Sequence, residues 1–218
     1  MIAKRAIVLA AGTAAVAWLA TASAAMAQQV PIIQPGAPGA TVKVLSPAEA
    51  ARIANTGFTQ ADIAFMQMMI AHHNQAVEMA ALAPSRTNNP ELLKIAGRIT
   101  ASQKDEMAFM RDWLSARGAP VAVNHAGMAG HAMDHRSMMK GMATPAQMAA
   151  LAASSGAAFD QQFLDLMIAH HRGAVDMVEE LLDQSGSASD PLLFQFIGDV
   201  ENEQTAEIKR MDELRASV

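Results

Sequence analysis

The chain has no cysteine and no tyrosine among its 218 residues. Without cysteine there is no disulfide framework, no thiolate metal site, no cysteine nucleophile and no lipid-anchor cysteine. Charge is scarce as well, at 17% of residues with a formal net charge of −5 and a pI near 5.8. That mildly acidic balance excludes the clustered basic face that nucleic acid requires. No alternating apolar–polar run marks a strand, and the apolar periodicity is helical throughout. What the chain has in excess is methionine, 17 residues, together with seven histidines. Flexible core filling is the ordinary reason for a methionine excess, so each position has to be weighed against it.

The N-terminus is set apart from the fold. Lys4 and Arg5 precede an apolar run from Ala6 to Ala22, and small residues end at Ala25-Met26-Ala27. This order predicts a secretory signal over 1–27, cut after Ala27. A retained anchor is the competing reading, but an alanine-rich run of about 17 residues is at the lower limit for a span. Removing Lys4 and Arg5 takes the net charge from −5 to −7. The mature chain is expected in a bacterial periplasm or outside the cell, with no stable membrane span. Residues 28–45, with Pro31, Pro35 and Pro38, read as a disordered or extended leader.

The remainder repeats itself. Phe65–Ala80 (FMQMMIAHHNQAVEMA) aligns with Phe163–Val178 (FLDLMIAHHRGAVDMV) at an offset of 98, with nine identities in 16 positions. Ser46-Pro47-Ala48-Glu49 and Thr144-Pro145-Ala146-Gln147 keep the same offset, and each carries a capping box with proline at the first helical position. Further on, Gln103, Glu106 and Met110 match Gln204, Glu207 and Met211 at an offset of 101. The units cover 46–117 and 144–218, with 118–143 between them. Thr59 and Asp62 predict the start of the first long helix, and Pro84 its end; Gly118 and Ser185-Gly186 supply later stops. Two amphipathic hairpins can bury their faces only against each other, which predicts an all-α antiparallel four-helix bundle forming one domain.

The histidine pairs are the main chemical signal. At about 100° per residue, Met66, Met69, Val77 and Ala80 fall within about 40° of His73, so His73 is central on the apolar stripe. His72 falls about 100° away, along the edge with Met79 and Phe65. The second unit repeats this with Met167, His170, His171 and Met177, whereas Met66 and Met68 become Leu164 and Leu166. Those two methionines are therefore exchangeable packing. Imidazole and thioether together suit Cu(I), and imidazole also serves Cu(II) and zinc. Gln103, Glu106, Gln204 and Glu207 lie on the neighbouring helix faces, where the glutamates could orient the imidazoles. Without metal, the same polar groups could satisfy the histidines and fix helix register.

The connector is the second signal. His125, Met128, His131, Met133, His135, Met138, Met139 and Met142 make up eight of its 26 residues. Glycine and alanine supply much of the rest, and no stripe organises the segment. Core filling therefore fails as an explanation, and metal capture by interleaved histidine and methionine is expected. Deletion of 120–142 is expected to leave the helices intact.

The two MIAHH segments, each followed by A-V-x-M and by a helix with Q-x-x-E-x-x-x-M, resemble the secreted bacterial family called Domain of Unknown Function 305. Its usual motif is M-x-x-H-H-x-x-A-x-x-M, and the resemblance spans roughly 46–217. It implies a ferritin-like four-helix bundle and a periplasmic copper-binding role, with Met69, His72, His73, Met79, Met167, His170, His171 and Met177 as the matching residues. The family commonly has proline before the histidine pair; Ala71 and Ala169 depart from that and imply an unkinked helix. No activity comes with the resemblance. The expected function is that of a non-enzymatic protein that sequesters or carries copper. Cu(I) is favoured over Cu(II), Ag(I) or zinc, and the cargo could pass to another periplasmic copper protein. A ferritin-like di-metal oxidase needs clustered carboxylates and Glu-x-x-His. The chain has no such motif, and Glu78 and Asp176 lie about 140° from the stripe centre. A metal-free interaction bundle remains the third reading.

Overall fold

The computed structural model describes residues 31–34, 41–47, 49–50, 57–121 and 139–217. The expected signal over 1–27 lies outside these residues. So do His125, Met128, His131, Met133, His135 and Met138. The chain divides into two units, one up to Pro47 and the other from Ala48 onward.

In the first unit, β1 (Ile32–Gln34) pairs antiparallel with β2 (Lys43–Leu45), Ile33 opposite Val44. Both strands fall within 28–45, the segment read from its prolines as a disordered or extended leader. Three residues on each side are too few to show a period-two pattern, although Ile and Val fit extended backbone well.

The second unit is helical: α1 (Gln60–Arg86), α2 (Pro90–Ala116), α3 (Pro145–Ala153), α4 (Ala157–Leu182) and α5 (Pro191–Arg215). The helix starts follow from their caps. Thr59 Oγ1 accepts from the Asp62 N–H at 3.1 Å, and Asp62 Oδ2 accepts from the Thr59 N–H at 2.7 Å. Thr144 and Gln147 close the same box on α3. Asn89 and Asp190 cap α2 and α5, each followed by proline at the first helical position, as the repeat demands. One stop is displaced. α1 continues through Pro84 to Arg86, and the chain turns at Thr87, whose N–H reaches the Ala83 carbonyl at 3.1 Å. Proline there removes one bond from the final turn, which disrupts far less than a missing bond in the helix interior. α1 runs unbroken through Ala71, as expected.

α1, α2, α4 and α5 form an antiparallel four-helix bundle. α1 packs on α2, α4 on α5, α1 on α4 and α2 on α5. The core lies in two clusters at opposite ends. One takes Phe65, Met66 and Met69 from α1, Met107 to Leu114 from α2, Ala174 to Leu181 from α4, and Leu193 to Val200 from α5. The other takes Ala76 to Ala83, Leu92 to Ile99, Phe159 to Ile168, Met211 and, from α3, Leu151. Where one helix starts in a cluster its neighbour ends, which is the antiparallel arrangement. The histidines lie between the two. Among the described residues, no helix is long and apolar enough to cross a membrane.

Candidate metal centre

All four repeated histidines are fully buried, at 0% exposure. The sequence placed His72 and His170 at the stripe edge. They are covered because α1 and α4 face each other there, with the end of the connector lying over them. The rings form a row across the bundle. His73 and His72 have centroids 6.4 Å apart, His72 and His170 3.7 Å, and His170 and His171 6.2 Å. The central pair is inclined by 34°.

Each ring is held through Nε2. His72 Nε2 donates to the Lys140 carbonyl at 2.9 Å, and His170 Nε2 donates to the His72 carbonyl at 2.9 Å. A carbonyl can only accept, so both rings carry the proton on Nε2 and a lone pair on Nδ1. At the ends of the row, His73 Nε2 bonds Glu106, and His171 Nε2 bonds Glu207 Oε2 at 2.6 Å. Glu106 and Glu207 thus hold the two outer rings from the neighbouring helices. Among the described residues, no hydrogen-bond partner meets any of the four Nδ1 atoms, or either amide atom of Gln103 or of Gln204. An unpartnered buried polar atom costs about 1–3 kcal/mol. Scattered defects would not recur in repeat-related pairs at one level of a bundle. A carboxylate or carbonyl behind an imidazole, with the other nitrogen free, is the usual arrangement of a metal-binding histidine.

The environment keeps His72, His73 and His170 neutral. Burial, reinforced by neighbouring His73, lowers His72 to about 3, and burial together with His171 lowers His73 to about 3. Burial and the charges of His72, His171 and His73 hold His170 well below its ordinary value. Burial and the proximity of Glu207 push Glu106 up to about 7. Neutral imidazole is the form that binds metal.

The four repeated methionines flank the row in crossed pairs. Met69 and Met177 belong to one core cluster, and Met79 and Met167 to the other. All are buried, so thioether sulfur is present on both sides of the row. Met69 and His73 lie one helical turn apart, as do Met167 and His171. Among the described residues, no group of three or more His, Asp and Glu side chains is arranged to hold a metal. A site here needs sulfur or amide donors beside imidazole.

Two connector residues correct the sequence reading. Met139 is buried at 7% exposure, and Met142 packs against the same cluster as Met69. Core filling does apply to both, because the segment Met139–Ala143 lies as a strap over α1 and α4. Gln75 grips it: the amide nitrogen donates to the Ala143 carbonyl at 2.8 Å, and Oε1 accepts from the Ala143 N–H at 2.7 Å. On α4, Gly173 replaces the repeat-related glutamine. A Cβ there would stand 2.0 Å from the Lys140 carbonyl oxygen, and a Cβ on Gly141 would stand 2.3 Å from the Ala169 carbonyl oxygen. Gly141 also has φ of +75°, so glycine is required on two counts. Gln75 was missed because it faces away from the stripe, about 160° from His73.

A second opening lies on the far side, between α2 and α5. It is a 360 Å³ cleft lined by Asp105, Glu106, Phe109, Leu192, Gln195, Phe196, Asp199 and Glu203.

Residues 62–215 match the family model described as Domain of unknown function (DUF305). The chain belongs to the DUF305 family. Among solved structures, a DUF305 fragment from Deinococcus radiodurans is 30% identical, with a TM-score of 0.63 over 74% of this chain and 99% of that one. A DUF305 protein from Streptomyces coelicolor, assigned as secreted, is 30% identical, with a TM-score of 0.61 over 72% and 93%. CopM, solved with Cu(I) bound, is 30% identical, with a TM-score of 0.54 over 72% of this chain and 96% of that one. CopM has also been solved with Cu(II), with silver and without metal. No curated protein matches this DUF305 chain.

Proposed function

We propose that this DUF305 protein is an exported copper-binding protein that takes Cu(I) as cargo between its two histidine pairs. The observation that carries the reading is the shared state of His72, His73, His170 and His171. Each Nε2 is engaged by a carbonyl or carboxylate, and each Nδ1 is buried without a partner among the described residues. The 3.7 Å approach of His72 and His170 favours one site shared by both repeats. Met69, Met79, Met167 and Met177 supply soft donors on either side, which suits Cu(I) or Ag(I) better than zinc. The copper-bound and silver-bound forms of CopM support the same cargo.

The role is storage or carriage rather than catalysis. Glu106 and Glu207, which a di-metal oxidase would need as metal ligands, are instead bonded to His73 and His171. In the periplasm such a protein would capture copper, through the connector histidines and methionines as well, and pass it to another copper protein. The test is Cu(I) titration against a chelating competitor, with the chain and its His72→Gln/His73→Gln/His170→Gln/His171→Gln variant. Tight binding that disappears in the variant supports the reading; equal binding by both returns the histidines to core packing.

A further inference from the structure

We infer that the strap Met139–Ala143 is the inlet of the interior site, with Met142 and then Met139 handing a soft cation inward to the histidine row. The inference rests on the copper reading and deepens it, since it assigns a route where that reading assigns only a destination.

Three observations carry it. The first is a gradient of burial along one packed cluster. Met142 is partly buried, Met139 is 7% exposed, Met177 6% and Met69 0%, so thioethers run from the surface to the row within a single body of side chains. The second is contact with the row itself. The strap's Lys140 carbonyl holds the Nε2 of His72, and Gly141 beside it lies against the backbone of His170. The third is that the middle of the strap, Lys140 and Gly141, is held without interlocking side chains. Glycine meets glycine where Gly141 crosses α4, so no side chain interlocks there. The Lys140 ion pairs with Glu180 at 2.6 Å and Asp176 at 4.0 Å are about half exposed, a setting in which such pairs contribute little. The Gln75 amide pair is the main clasp.

The cleft between α2 and α5 is the rival entrance. It presents the carboxylates of Asp105, Asp199 and Glu203 and leads to Glu106, which is already bonded to His73. Oxygen donors select hard cations, whereas sulfur selects Cu(I) and Ag(I). The strap is therefore the route for a soft cation.

An inlet and a ligand leave opposite kinetic signatures. Removing a ligand speeds release and weakens binding. Removing an inlet slows uptake and release by the same factor and leaves the equilibrium alone. The experiment measures anaerobic Cu(I) uptake by the full chain and its release to excess bicinchoninate. The four-histidine component is obtained by difference from the quadruple histidine-to-glutamine variant. Met139→Leu/Met142→Leu keeps volume and apolarity, so folding is preserved; the half-buried Met142→Leu alone provides a milder case. We expect both rates to fall at least tenfold in the double variant, with the dissociation constant changed less than threefold. Faster release with weaker binding would make these residues ligands and overturn the inlet. Unchanged rates would overturn it too, as would slowing in Asp199→Asn/Glu203→Gln instead. Absence of the four-histidine component from the unmodified chain would remove the copper reading and the inlet together.

Discussion

His72 and His170, 98 residues apart, lie ring against ring with centroids 3.7 Å apart, and the backbone carbonyl of His72 holds the Nε2 of His170. One histidine thus serves the other twice, as packing partner and as acceptor. Replacing His72 with Gln should therefore cost more than half of the interior Cu(I) affinity, since the second repeat loses its neighbour as well. Competition titration checks this. Independent sites would instead lose one ion and leave the other unchanged.

Selectivity should follow the donor set. Thioethers beside neutral imidazoles favour Cu(I) and Ag(I), and zinc lacks the thiolates it prefers. In direct competition, zinc should fail to displace Cu(I) from the interior. Equal zinc binding would reduce the site to a generic histidine pair.

The metal-free protein should be acid-labile. His72 and His73 titrate near 6.5 when unfolded but near 3 when folded, so the unfolded chain takes up protons first. Their depressed values leave stability intact above about 6.5, and it is lost as pH falls from there towards about 3. Each contributes up to about 1.4 kcal/mol per pH unit within that window. Glu106 works the other way. Its folded value, raised from 4.5 to about 7, favours folding below 4.5, and that contribution is lost as pH rises through 7. The depressed values of His72, His73 and His170 outweigh the raised Glu106 and the less buried, raised Glu203. Thermal melts from pH 7 to pH 4 should show a steady fall in Tm, and Cu(I) should arrest it. The burial that causes this fall also protects binding. Interior Cu(I) should be retained well below pH 6.5, where an exposed histidine site would release it.

Two glycines within the helices should respond in opposite ways to alanine. A Cβ at Gly97 meets nothing within 4 Å, so Gly97→Ala should raise stability by about 0.5–1 kcal/mol through helix propensity. At Gly173 the added carbon meets the Lys140 carbonyl oxygen at 2.0 Å, and the strap must move. Gly173→Ala should lower stability by about 1–3 kcal/mol despite the same propensity gain. Urea denaturation of the two variants gives the sign.

The connector should be separable into two parts. Deleting 122–138 should lower the amount of bound copper without loss of helicity. Extending the deletion through Met142 strips out buried Met139 and leaves the clasp on Gln75 undone. It should cost several kcal/mol, from lost burial of about 1.5–3 and unpaired amide groups of about 1–3 each. Circular dichroism melts distinguish the two deletions, and equal melts would show that the strap carries no structural weight.

The bundle was legible because its signals are local. Capping boxes at Thr59 and Thr144, prolines after Asn89 and Asp190, and the recurrence of MIAHH fix the start and the inner face of each helix. The orienting glutamates were legible for the same reason, as they share a face with Gln103 and Gln204. The strap was not. Periodicity tells which side of α1 is apolar, but it cannot tell which loop returns over the other side, so nothing in the sequence singles out Gln75. Gly141 and Gly173 are silent in sequence because their value lies in a mutual approach between distant segments. Met139 and Met142 stood among glycines and alanines with no stripe, and only their tertiary neighbours reveal them as packed. The acid behaviour was hidden as well, because a sequence supplies reference pKa values and not burial.

The uneven treatment of the two repeats at the strap has an evolutionary corollary. Two separate hairpins meeting as a symmetric dimer would give both inner histidines identical surroundings. Fusion into one chain lifts that obligation, since only one linker joins the halves and it can settle over only one of them. The Lys140 carbonyl therefore meets His72, while His170 makes do with the backbone of its twin. With the halves unequal, Gln75 and Gly173 take different parts at matching positions, one as a clasp and the other as a clearance. A symmetric pair of hairpins would have two equivalent faces; this chain has a front and a back.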